Sequence, residues 1–153
     1  MLAREIMAAH AVAVAPDTSL ADVASLMVAE RVDGVPVTDG DGHLLGLITA
    51  TDFLRLLLPN RVRFLDVDLY LGPRRLNQAL LKEIAGVRAA DVMTRAVCTV
   101  EPDAPLEKVI GLMGEHSVRH LPVVQDGRLV GIIHRTDVVR LFSRWMTGEE
   151  EGP

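Results

Sequence analysis

The sequence predicts an α/β (α+β) protein made of two β-α-β-β-α repeats, related by a pseudo-two-fold axis, with a helical insert between them. Three observations carry this reading. Residues 5–57 echo residues 91–142, so the fold is duplicated. Each copy holds a short β-branched run, a Gly-containing tight turn and a second apolar run, which is the pattern of a hairpin. Each copy also carries apolar residues four apart ahead of that hairpin, the mark of a helix with one buried face.

The echo is residue by residue. Ile6-Met7 matches Val92-Met93, and Pro16-Asp17 matches Pro102-Asp103. Leu20, Val23 and Met27 match Leu106, Val109 and Met113. Val35-Pro36-Val37 matches Leu121-Pro122-Val123, and Asp41-Gly42 matches Asp126-Gly127 after the first copy gains one residue. Gly46-Leu-Ile-Thr-Ala-Thr51-Asp52 matches Gly131-Ile-Ile-His-Arg-Thr136-Asp137.

Taken in order, each copy opens with a short strand, Ala11 to Ala15 and Val97 to Val100, which Pro then breaks. A helix follows, Leu20 to about Glu30 and Leu106 to about Glu115, with Ser19 and Pro105 as suitable first-turn residues. The hairpin comes next. Its second strand, Leu44–Ile48 or Leu129–Ile133, is nearly all apolar and so is expected to be buried on both faces, each copy supplying the other's cover. Thr51-Asp52 and Thr136-Asp137 stand where a closing helix begins, because their oxygens accept from unpaired amides. The expected organisation is a first repeat over 1–58, an insert over 59–88, a second repeat over 89–146 and a flexible acidic tail over 147–153.

In the insert, Pro59-Asn60 ends the first closing helix and Gly72-Pro73 makes a turn, with Pro73 at a helix start. Leu76, Leu80 and Ile84 form an amphipathic stripe ending at Gly86. Residues 64–71 alternate apolar and polar and read as an edge strand or a loop.

Composition narrows the function. Apolar residues make up 49% of the chain but aromatics only 3%, so the core is aliphatic. A net charge of −5 argues against a nucleic-acid partner. One cysteine excludes an internal disulfide and a cysteine-based zinc site, and suits a reducing cytoplasm. No apolar run reaches the roughly 18–20 residues that span a bilayer, and the first residues do not read as a signal peptide, so no membrane partner is expected.

Two units each ending G-h-h-x-x-[ST]-D (h apolar), at Gly46, Thr51 and Asp52 and again at Gly131, Thr136 and Asp137, resemble a tandem pair of cystathionine-β-synthase (CBS) domains, a Bateman module. The x-P-V runs at Pro36 and Pro122 and the leading Ile6-Met7 and Val92-Met93-Thr94 share the resemblance, which covers residues 3–57 and 89–144. It implies a regulatory module rather than an enzyme. The ligand would be an adenosine-containing nucleotide or S-adenosylmethionine, held between the copies as a ligand and not as a cofactor. It further implies a homodimer joined through helices. With no catalytic or DNA-binding segment in the sequence, the effector would be another protein. The alternative is a structural interaction module with vestigial clefts.

The resemblance assigns Asp52 and Asp137 to ribose hydroxyls, although helix capping accounts for both on local physics alone. The amides at Thr51 and Thr136 open helix N-termini, which favour anions. The copies differ at two places. Arg119-His120 stands where the first copy has Asp33-Gly34, and His134-Arg135 stands where it has Thr49-Ala50. The resemblance implies that a basic pair ahead of the x-P-V strand meets the phosphates, so phosphate is expected at Arg119, His120, His134 and Arg135, in a cleft lined by the second copy, with Asp137 the stronger ribose ligand. The expected adenine slots are Val14 and Val35 for one site, and Val100 and Leu121 for the other, with Thr94 and Ala96 added by the resemblance.

Other constellations fail. Cys98 aligns with Val12 and reads as a small buried apolar site. His116 and His120 are four apart, but the helix ends near Glu115 and no third ligand is evident, so no metal is expected. Arg61, Arg63, Arg74 and Arg75 lie among acidic residues and read as a solvated face. Phe142 and Trp145 on the last helix are expected in the core, with a dimer contact as the alternative. No P-loop or nucleophile elbow is present.

Overall fold

The structure of the chain, a computed structural model, describes residues 1–57, 61–64, 67–70 and 75–149. Its elements run α1 Ala3–Ile6, α2 Leu20–Glu30, β1 Gly34–Thr38, β2 Leu44–Thr49, α3 Ala50–Leu57, β3 Arg61–Phe64 and β4 Val67–Tyr70. They continue with α4 Gln78–Ala85, α5 Ala89–Val92, α6 Leu106–Glu115, β5 His120–Gln125, β6 Arg128–His134 and α7 Arg135–Thr147. The long helices α2 and α6 occupy the expected spans. Ser19 caps α2 by accepting from the Asp22 amide at 3.2 Å, and Pro105 takes the same position ahead of α6, where a missing N–H costs nothing.

Each hairpin is a two-stranded antiparallel sheet. Asp126 and Gly127 both have positive φ, 52° and 78°, as the tight turn between Gln125 and Arg128 requires. The first strands expected at Ala11–Ala15 and Val97–Val100 shrink to single-residue parallel bridges, Val14 with Val37 and Val100 with Val123. Two hydrogen bonds hold each: Val14 N–H to the Pro36 carbonyl at 3.0 Å and Thr38 N–H to that of Val14 at 3.0 Å in the first copy. Pro16 and Pro102 follow closely and have no N–H with which to extend a ladder.

The short helices α1 and α5 were not expected, and their packing is exchanged. Ala3 of α1 is buried in the core of the second repeat, with Val100, Val109, Leu121, Val123 and Ile133. Ala89 of α5 is buried in the core of the first, with Val14, Val23, Val35, Val37 and Ile48. The backbone bonds are reciprocal: Ala3 N–H donates to the Ala104 carbonyl and Ala89 N–H to that of Thr18, both at 2.8 Å. Ala8 bridges Ile132 while Thr94 bridges Leu47. Equivalent residues thus swap partners across one boundary, which is the pseudo-two-fold relation. The sequence repeats are therefore not the packing units: each core contains the leading segment of the other copy.

The insert contributes α4, capped by the Asn77 side chain accepting from the Leu80 amide at 2.9 Å and ending at Gly86. The helix starts at Gln78. The strands β3 and β4 pair antiparallel across the stretch read as an edge strand or loop. The expectations at Pro59-Asn60, Gly72-Pro73 and Arg74, and at tail residues 150–153, lie outside the described residues. Phe142 corrects the expectation of a core position: it is 39% exposed, edge-on to the half-buried Trp145 at 5.4 Å. The buried stripe of α7 is carried by Val138 and Leu141 instead, leaving Phe142 beyond its edge.

Candidate functional site

The closing helices place the Thr-Asp pairs identically. In α3, Asp52 Oδ2 accepts from the Thr49 N–H at 2.8 Å; in α7, Asp137 Oδ2 accepts from the His134 N–H at 2.8 Å. Each carboxylate reaches back to the amide just ahead of its helix, the returning half of a capping box. The other oxygens differ. Asp137 Oδ1 accepts from Arg140 Nη1 at 2.9 Å, whereas Asp52 Oδ1 lies 3.7 Å from Arg55 Nη1, a looser pairing. Each helix start is tied to the residue two before its x-P-V strand: Ala50 N–H donates to the Asp33 carbonyl and Arg135 N–H to that of Arg119, both at 2.9 Å.

Two clefts open at the boundary between the repeats, and neither is walled by one copy. The first, about 360 Å³, combines Thr49, Ala50, Thr51, Asp52 and Arg55 with Thr94, Ala96, Val97, Cys98, Ser117, Val118, Arg119 and His120 from the second copy, with Asp33 and Leu47 completing the wall. It has one apolar wall, one helix N-terminus and guanidinium groups at Arg55 and Arg119. A helix start with nearby guanidinium groups can hold an anion, while the apolar wall suits an uncharged ring. The second, about 320 Å³, is lined by Asp33, Arg119, His134, Arg135, Thr136 and Val139. Arg119 and Asp33 border both.

Thr51, Asp52, Thr94, Ala96, Arg119 and His120 therefore meet in one cleft, and His134, Arg135, Thr136 and Arg119 in the other. Asp137 lines neither. Val14, Val35, Val100 and Leu121 are 8%, 0%, 4% and 0% exposed and lie in the two cores instead of the cleft walls. Their strands pack against α2 and α6, and the apolar cleft surface comes from the segment after α5. The geometry thus replaces a cleft lined by the second copy with composite clefts, and gives the larger one to Asp52.

His120 also departs from a phosphate role. It is 5% exposed, and its Nε2 lies 2.6 Å from Asp33 Oδ1. The ring occupies the space a side chain at Gly34 would need: a Cβ there would meet the ring at 2.8 Å. The two differing dipeptides are therefore one fitted contact, with His120 crossing the boundary onto Gly34 and Asp33. Burial works to raise the Asp33 pKa, but the hydrogen bond and positive charge of His120 outweigh it and hold the carboxyl below its ordinary value. Burial, helped by the charge of His120, lowers the pKa of His134. Arg135 Nη2 donates to the Val118 carbonyl at 3.0 Å.

Asp33, Arg55, Val97 and Cys98 are wall residues that sequence reasoning missed. Asp33 was visible only as the place where Arg119 had no counterpart. Cys98 is half-buried at the cleft, and burial raises its thiol pKa. The exchange of α5 into the first core is what brings residues 94–98 to this wall.

The chain belongs to the CBS domain family, whose model matches residues 3–59 and 89–144. It is 31% identical over 152 residues to the uncharacterized protein MJ1426 of Methanocaldococcus jannaschii, covering 91% of this chain and 89% of that one. It is 37% identical over 134 residues to the CBS domain-containing protein CBSX1, chloroplastic, of Arabidopsis thaliana, covering 83% of this chain and 57% of that one, so it spans little more than half of that relative. Among solved structures, CBSX2 in complex with AMP superposes with a TM-score of 0.73 at 29% identity, over 95% of this chain and 98% of that one. The acetoin utilization protein AcuB from Vibrio cholerae superposes with a TM-score of 0.77 at 25% identity, over 100% and 98%. These likenesses establish the tandem CBS fold. No helix among the described residues is long and apolar enough to cross a membrane.

Proposed function

We propose that this chain is a ligand-sensing regulatory module that binds an adenosine-containing nucleotide in the larger composite cleft and passes ligand state to a partner protein. The observation that carries the reading is the makeup of that cleft, where an apolar wall faces a helix start, a loosely paired carboxylate and two guanidinium groups. Its volume falls within the range of about 300–1,000 Å³ common for small-molecule sites. The AMP complex of CBSX2, at 29% identity, supports the same ligand class.

In this reading the adenine lies against Ala96, Val97 and Cys98, beside Thr94. Asp52 accepts from the ribose through Oδ1, and Arg119, with the amides at Thr51, takes the phosphate. The smaller cleft is the poorer site. The carboxylate of its helix, Asp137, is held by Arg140. That feature favours the alternative for this half of the molecule, a cleft kept for structure. Regulation without catalysis, a cytoplasmic setting and a homodimer complete the proposal. Val139, Phe142 and Met146 leave an exposed apolar stripe on α7 for the dimer contact.

Cys98, the sole cysteine, supplies the test. Its raised pKa keeps the thiol protonated near neutral pH, so alkylation is slow and readily timed. With AMP at about 100 times its dissociation constant, labelling by N-ethylmaleimide should slow by at least roughly tenfold. An unchanged rate with AMP, ADP, ATP and S-adenosylmethionine, each at saturating concentration, contradicts the proposal.

A further inference from the structure

Three side chains with metal-binding atoms converge between the clefts: Asp33, His120 and His134, whose candidate atoms all lie within 4.8 Å of one another. We propose that they form a binding site for a borderline transition-metal cation of the zinc class, bridging the two repeats.

The histidine pair is set by the sheet. His120 and His134 are directly opposite in the β5–β6 ladder, and such cross-strand neighbours share a face. Their rings sit edge to face at 5.2 Å between centroids. Gly34 leaves the room that His120 fills, so the first ligand is placed by packing as well as by register. Asp33 arrives from the other repeat, and its side chain, 58% exposed, already meets His120.

The donor set selects the ion. Two imidazoles and one carboxylate suit zinc, nickel, cobalt or copper, whereas calcium and magnesium need cages built from oxygen. Tetrahedral zinc at about 2.0–2.1 Å from each donor holds its ligand atoms roughly 3.3 Å apart. The contact of 2.6 Å between His120 Nε2 and Asp33 Oδ1 would open slightly, and His134 would close in, through side-chain rotation. Three protein ligands leave a fourth position facing the smaller cleft. Arg119 and Arg135 line that cleft, so an anionic oxygen or hydroxide is favoured there. The site needs no nucleotide and stands apart from that reading. The other candidate group, Asp39, Asp41 and His43, lies on the first hairpin turn, where Asp39 already accepts from the Asp41 and His43 amides.

The test is competition for Zn²⁺ between the untagged full chain and a chromophoric chelator, with Co²⁺ absorption to report the ligand geometry. One ion per chain is expected, with the Co²⁺ spectrum of a nitrogen- and oxygen-ligated tetrahedral site. His134→Gln and Asp33→Asn each remove a partly exposed ligand from a folded chain, and should weaken binding by at least about tenfold. His43→Gln and His116→Gln should leave it within roughly twofold, as changes remote from a site do. Failure to withdraw Zn²⁺ from the chelator overturns the proposal. So does binding that survives His134→Gln undiminished, or that falls as far with His43→Gln.

Discussion

The two repeats share a backbone plan and differ at their rims. Both use an x-P-V strand, a bulged hairpin and an aspartate that reaches back to cap the closing helix. Both cores centre on an isoleucine with no exposed surface, Ile48 in one and Ile133 in the other. The difference is concentrated in two dipeptides, Asp33-Gly34 against Arg119-His120 ahead of the x-P-V strand and Thr49-Ala50 against His134-Arg135 at the start of the closing helix. Because the clefts are composite, the change in the second copy alters the wall facing the first copy's helix. A duplicated fold therefore yields unequal sites through what each copy presents to the other.

The largest expected effects test the shared part. Ile48→Ala and Ile133→Ala should each cost about 2–5 kcal/mol in urea unfolding, with a single cooperative transition for both. The exchanged helices α1 and α5 couple the cores, so loosening either loosens the whole. Two separated transitions would show that the exchange does not couple the halves.

The fitted contact comes next. Gly34→Ala places a Cβ 2.8 Å from the His120 ring, which must shift off its contact with Asp33, and should cost about 1–3 kcal/mol. Gly40→Ala meets nothing within 4 Å and should be nearly neutral. Combining Gly34→Ala with His120→Ala should recover part of the loss, since the two residues act as a pair. Equal, small effects of Gly34→Ala and Gly40→Ala would remove His120 from the boundary.

How much could be read from the chain alone follows the range of the interactions. The spans of α2 and α6, the Asp126-Gly127 turn and the duplication itself depend on neighbours a few residues apart, and all were legible. The four-residue helices α1 and α5 were not, because what holds them is a carbonyl at Ala104 or Thr18 in the other half. The first strands were overread, since β-branched residues continue past the single bridge that pairs. The difference between Asp33-Gly34 and Arg119-His120 was visible, but its meaning was not. Only the packed boundary shows that His120 lies over Gly34, and that Arg119 faces the helix start of Asp52 in one cleft while bordering the other.

The central claim is that the working cleft belongs to Asp52 and not to Asp137. Calorimetric titration of AMP into Asp52→Asn and Asp137→Asn tests it most directly, because asparagine keeps a capping oxygen and removes only the charge. Asp52→Asn should weaken AMP at least tenfold, about 1.4 kcal/mol, while Asp137→Asn should change it less than roughly twofold. Loss of affinity in Asp137→Asn with Asp52→Asn unaffected would contradict the account.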